Sequence, residues 1–341
     1  MIQETKLKRR FRGRVLWAGT DRLLAARGAT VWSSMDHGQH WLHVGGLHLG
    51  WRDWLAALHP WSRRLWRRDV HHVVDLGRER YMLCAYRGFH VVDAIAGTTE
   101  RLPGTWHGSR PLALCRRCGS LYYGEYRSNL ERSSVAVWRS NDDGASWVRA
   151  WKFDSVRHVH GVYHDPYEDA LWVTTGDLDA EAGLWRTRDD FRSLERIAGG
   201  SQALRVVQLL FTPAAVLFGS DAPAGINHLY RMDRRSGAVR AVQAVEGPVF
   251  YGGQTGEIRA FGTVVEPSEV NRSREAVVWL SKDGGDSWHR GMAFRKDWLP
   301  MRLFQYGQVL FPAGPGDGDA LWLTPFATQG DQVSLCYDLS D

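Results

Sequence analysis

Two histidines two residues apart, His158 and His160, open an apolar, β-branched run. On a strand, positions i and i+2 share a face, so both imidazoles project the same way. Such a pair can act as a general acid and base. It can also supply two ligands to a divalent cation, completed by His164, Asp165 or a loop carboxylate, or simply hydrogen-bond at the head of the strand. Loop segments elsewhere supply further reactive types: the carboxylates Glu125, Asp177, Glu181 and Glu266, and the guanidiniums Arg132, Arg157, Arg205 and Arg302. Asn129, Gln202, Asn271 and Tyr251 add neutral donors and acceptors. Planar guanidinium forks hold carboxylates. Paired carboxylates hydrolyse glycosidic bonds, and a His or Tyr can move a proton. Glu125, His160, Asp177, Tyr251 and Glu266 are therefore the catalytic candidates. Asn129, Arg132, Arg157, His158, Glu181, Gln202, Arg205, Asn271 and Arg302 are the substrate-binding candidates. No metal or other cofactor is assigned, although a divalent cation fits the histidine pair.

Composition narrows the partners. Of 341 residues, 44% are hydrophobic and 24% charged, the balance of a chain that buries a core. The net charge of +5, carried mainly by Arg, favours an anionic ligand. Like charges form no long block beyond Lys6–Arg12, and no nucleic-acid motif occurs, so nucleic acid is not an expected partner. No apolar run approaches ~18 residues, so no membrane partner is expected either. The first residues lack an apolar h-region and the chain has only 4 Cys, which together suggest a cytoplasmic address. Cys115 and Cys118 make half a zinc motif with no second half. Nothing in the sequence specifies an oligomer.

The elements that must position these residues come from repeats. The pattern S-x-D-x-G-x-x-W occurs at 34–41, 140–147 and 281–288. In each copy an Asp can accept from turn N–H groups and a Gly can supply a positive φ, followed by a Trp that packs back over the turn. Asp189 and Asp233 mark degraded copies, and Asp93 and Thr328 mark turns recognisable by spacing. The markers recur near the propeller blade period of ~40–50 residues once an insertion at 51–66 is set aside. That insertion places Trp54, Leu55, Leu58 and Trp61 at helical spacing, as a lid, an oligomer contact or a packed side helix.

Seven four-stranded units fit, forming one all-β propeller over 1–341. With strands A to D running outwards, the seventh unit reads 303–306, 309–312, 321–324 and 333–337. The S-x-D-x-G-x-x-W turns are C–D turns. B–C and D–A loops then share the opposite face, and all the candidate side chains fall there.

The three turns resemble the Asp-box, or BNR repeat, of sialidase-like β-propellers. In that superfamily the box is structural. Its members include sialidases, xyloglucan-type glycosidases, sortilin-type receptors and photosystem assembly factors. Sialidases have six blades, an early Arg-Ile-Pro motif and an arginine triad, whereas here Arg101-Leu-Pro103 sits in the second of seven units. Seven-bladed polysaccharide lyases are closer in architecture. They remove a proton beside a uronate carboxylate that Arg or a metal neutralises. The resemblance implies either action on an acidic oligo- or polysaccharide, by hydrolysis or elimination, or non-catalytic binding of a glycan or protein.

Overall fold

In the computed structural model, which describes residues 6–318 and 320–339, seven four-stranded antiparallel sheets form a ring. Blades 1 to 6 span 14–46, 70–101, 114–153, 158–199, 206–245 and 249–295. Their innermost strands contact one another in sequence, and blade 1 closes against blade 7. Burial follows the radius. Strand B is covered on both sides by neighbouring blades and is mostly apolar, as in Ala170–Gly176 and Ala215–Ser220, where every residue is buried. Strand D faces solvent at the rim, as in Glu195–Gly199.

Blade 7 departs from the sequence reading. Its strands, from the centre outwards, are Gln308–Leu310, Ala320–Phe326, Val333–Asp338 and then Lys6–Arg12 from the N-terminus. The expected strand at 303–306 is instead the end of a short helix, Met301–Phe304, started by Pro300, followed by irregular chain. Everything after it shifts by one strand position, so the turn at Thr328 is a B–C loop on the functional face. Lys6–Arg12 alternates exposed and half-buried residues, the period of a rim strand. The ring is closed by hydrogen bonds between the two ends of the chain. Ser334 Oγ accepts from Val15 N (2.8 Å) and donates to Gly13 O (2.9 Å).

The C–D turns bind blades together. In each full copy the Ser hydroxyl donates to the Asp (2.8, 2.7 and 2.8 Å) and accepts from the Gly N–H (2.8, 2.9 and 3.0 Å). Gly285 has φ 89°, and a Cβ there would lie 2.4 Å from Leu217 of the preceding blade. In the degraded copy at Asp189, Phe191 takes this position at φ 69° and packs on Tyr122 of blade 3.

The insertion forms two helices, α1 (Trp51–Ala57) and α2 (Pro60–Trp66), in the D–A connection between blades 1 and 2. The Arg64 side chain is fully buried. It donates to Phe304 O (2.9 and 2.7 Å), Asp297 (2.6 Å) and Asp331 (3.1 Å), fastening α2 to the loops of blades 6 and 7.

Candidate functional site: a histidine–aspartate cluster in the funnel

Strand A of blade 4, His158–Asp165, carries the histidine pair. It is seated against blade 3 because strand B there ends in Gly124, where a Cβ would lie 2.2 Å from Val159 Cγ1. Val159 N donates to Glu125 O (3.1 Å) across the same joint. The pairing with strand B skips between Val159 and Gly161, so His160 occupies a bulge, a device that re-aims a side chain.

The two rings meet with Nε2 atoms 3.0 Å apart. His160 Nδ1 faces Val206 O (2.9 Å) and His158 Nδ1 faces Arg127 O (3.3 Å). A carbonyl only accepts, so with the proton of each ring on Nδ1 both Nε2 lone pairs face inward. Two lone pairs at this distance repel unless a cation lies between them. Asp177 Oδ1 completes the cluster, 3.3 Å from His158 Nε2 and 3.9 Å from His160 Nε2. Burial lowers the pKa of His160, which disfavours a proton as that cation. Three donor atoms within 4.8 Å of one another, with both histidines oriented by backbone carbonyls, fit a first-row divalent cation.

Guanidiniums surround the cluster. Arg157 donates to Asp177 Oδ2 (2.5 Å), and Arg205 spans Asp177 Oδ1 (3.3 Å) and Asp221 Oδ2 (3.1 Å). Burial alone would raise the pKa of Asp177, but its contacts with the two imidazole rings and the Arg205 charge hold it well below the carboxylate range. Asp221 goes the other way. It is 4% exposed, and burial outweighs the Arg205 charge; with Glu266 and Asp177 also nearby, its pKa rises to about 7. Burial likewise raises Glu266, which is hydrogen-bonded to Tyr306. Two carboxylates on one arginine thus have pKa values pushed apart, the pattern that separates an acid from a base.

The funnel continues past Tyr126, whose ring lies 4.3 Å from His158, to a cavity lined by Arg14, Arg67, Asp69, His71, His72, Arg110, Tyr251 and Gln308. Arg110 donates to His71 Nδ1 (3.0 Å). Burial and the charges of Arg14 and Arg110 depress His72 to about 3, leaving it neutral. Tyr251 therefore lines this second chamber.

The structure brings together His158, His160, Asp177, Arg157 and Arg205. Glu266 stands near Arg205 and Asp221, and the remaining candidates are placed elsewhere. The Glu125 carboxylate is held by Arg127 (2.8 Å) and Ala136 N (3.3 Å) within its own blade. Asn129 is buried and braces Ser133 and the Arg157 carbonyl. Arg132 pairs with buried Glu181 (2.7 Å), tying blade 3 to blade 4. Gln202 donates to Asp177 O and Asp179, and buried Asn271 donates to Pro223 O. Arg302 is exposed on α3 (Met301–Phe304).

Arg14, Asp69, Tyr126, Arg110 and Asp221 enter the funnel without being candidates on sequence. For two of them, Arg14 and Asp69, there is a signal. Val15, Val70, Val159, Val206 and Val249 are all buried at the start of strand A, each followed by a register shift. Arg14, Asp69, His158 and Arg205 immediately precede four of these valines.

No family model matches the sequence, and none of the curated proteins compared with it matches either. Solved structures show the fold. An oligogalacturonate lyase in complex with manganese superposes with a TM-score of 0.62 at 12% identity, over 97% of this chain and 90% of its own. A GH74 enzyme of Niastella koreensis gives 0.61 at 11% identity; the alignment covers 96% of this chain but 53% of that enzyme. The WD40 β-propeller domain of Doa1 gives 0.56 at 13%, over 100% of this chain and 97% of its own. At these identities the likeness is one of architecture.

Proposed function

We propose that the protein is a carbohydrate-active enzyme that cleaves an acidic, uronic-acid-type glycan by elimination at the His158–His160–Asp177 cluster. The carrying observation is the convergence of the two Nε2 atoms and Asp177 beside Arg157 and Arg205. His158, His160 and Asp177 would hold a divalent cation, which would supply charge there, while Arg157 and Arg205 bind a uronate carboxylate and so acidify the adjacent C–H. Elimination breaks that C–H bond and the neighbouring C–O bond and forms a C=C bond, with no water consumed. Asp221 is suited to accept the proton, since its pKa lies near neutrality. The oligogalacturonate lyase similar in fold is in complex with manganese, which agrees with this reading. The three S-x-D-x-G-x-x-W turns support placing the chain among Asp-box propellers.

The divergent pKa values of Asp177 and Asp221 favour a second reading, hydrolysis, with protonated Asp221 as acid. Incubation with a panel of uronic-acid polysaccharides, with added manganese, separates the two. Unsaturated ends detected by ultraviolet absorbance, and lost on chelation and in His160→Ala, support elimination. Reducing ends without unsaturation support hydrolysis. Binding without any product makes the funnel a recognition site and overturns both.

A further inference from the structure

The helices α1 and α2 are amphipathic in reverse. Arg63, Arg64 and Ala56 are buried, whereas Trp51, Trp54, Trp61 and Trp66 are each at least half exposed. The Arg64 bonds to Phe304 O, Asp297 and Asp331 fix this orientation, so the indoles cannot turn inward without breaking a buried ion pair. The surface continues across the ring. Trp298, 80% exposed, meets Trp61 edge-on at 6.3 Å, and exposed Leu58 and Leu303 extend the patch. Contiguous apolar surface of this kind on a water-soluble fold marks a docking site.

Charge identifies what docks. Exposed Arg52, Arg67 and Arg302 lie on the same segments, and among the described residues no carboxylate is bound to any of them. The acids there are already paired, Asp53 with Arg68 (3.2 Å) and Asp297 with Arg64 (2.6 Å). The outward charge is therefore wholly positive around a field of indoles. Trp is the side chain enriched where bilayer meets water, and Arg adds attraction to anionic headgroups. We infer that this face docks on an anionic phospholipid bilayer, with the indoles in the headgroup layer and the guanidiniums on lipid phosphates. Long apolar runs mark membrane-spanning segments, whereas short helices such as α1 and α2 can lie in the interface without one. The patch lies on the face that carries the funnel, so docking sets the funnel mouth against the lipid surface.

The test is flotation of the full chain with vesicles of phosphatidylcholine alone or mixed with phosphatidylglycerol. The chain should float with the anionic vesicles, less well at high salt. The quadruple variant Trp51→Ser, Trp54→Ser, Trp61→Ser, Trp298→Ser should lose at least about tenfold in vesicle affinity. Each of Arg52→Glu and Arg302→Glu should lose about fivefold or more. Tryptophan fluorescence in the parent should be quenched by brominated lipid, and that quenching should disappear in the quadruple variant. No flotation of the parent overturns the proposal, as does equal flotation of the variant. A dimer in light scattering that the indole substitutions dissolve, without vesicle binding, overturns it in favour of a second copy of the chain. Thermal melts matching the parent confirm that the variants are folded.

Discussion

Asp221→Asn isolates the electrostatics of the funnel. The carboxyl is almost fully buried and its pKa rises from 3.8 to about 7. Below its unfolded pKa it is protonated in folded and unfolded chains alike. Between there and about 7 the unfolded chain ionises while the folded chain keeps its proton, so stability falls as pH rises. A shift of about three units at ~1.36 kcal/mol each gives a loss of about 4 kcal/mol once the pH exceeds the folded value. The amide oxygen of Asn can still accept from Arg205 Nε, which lies 3.1 Å from the carboxylate, so packing and hydrogen bonding are largely kept. The stability of the variant relative to the parent should therefore become more favourable by up to about 4 kcal/mol between about pH 4 and about pH 8. Urea denaturation at several pH values measures this difference. A difference that stays constant to within about 1 kcal/mol would show that Asp221 titrates normally, and the proposed proton acceptor would be lost with it.

Three other outcomes are expected. His160→Gln should weaken manganese binding by about tenfold or more in calorimetry, because it removes one of three donors and the Nδ1 anchor on Val206 O; unchanged affinity would move the cation elsewhere. Arg205→Lys keeps the charge but cannot span Asp177 and Asp221, so turnover on a uronate polymer should fall about tenfold or more, with folding preserved. Ser334→Ala removes a buried hydroxyl that joins the chain ends, and should cost about 1–3 kcal/mol in chemical denaturation.

Local chemistry made much of the fold legible. A turn that needs a hydroxyl, a carboxylate, a glycine and an indole at fixed spacing must announce itself, and the copies at 34–41, 140–147 and 281–288 did so. From those turns came the blade count, the face bearing the variable loops and the helical insertion, because hairpin turns and amphipathic periods are properties of neighbouring residues. Ring closure was not legible in this way. That Lys6–Arg12 pairs with Val333–Asp338 depends on contacts from opposite ends of the chain, which no local pattern encodes. The same distinction divides the candidate site. His158 and His160 were visible as a pair on one strand. Whether a loop carboxylate joins them or braces its own loop depends on which blades stand side by side. Asp177 reaches the histidines, Glu125 turns back to Arg127, and Asp221, passed over on sequence, is drawn in by Arg205. Sequence alone determined the repeating unit and the kinds of group on the functional face. Tertiary structure decided which of them are desolvated together, because burial and Coulomb coupling depend on distance in space.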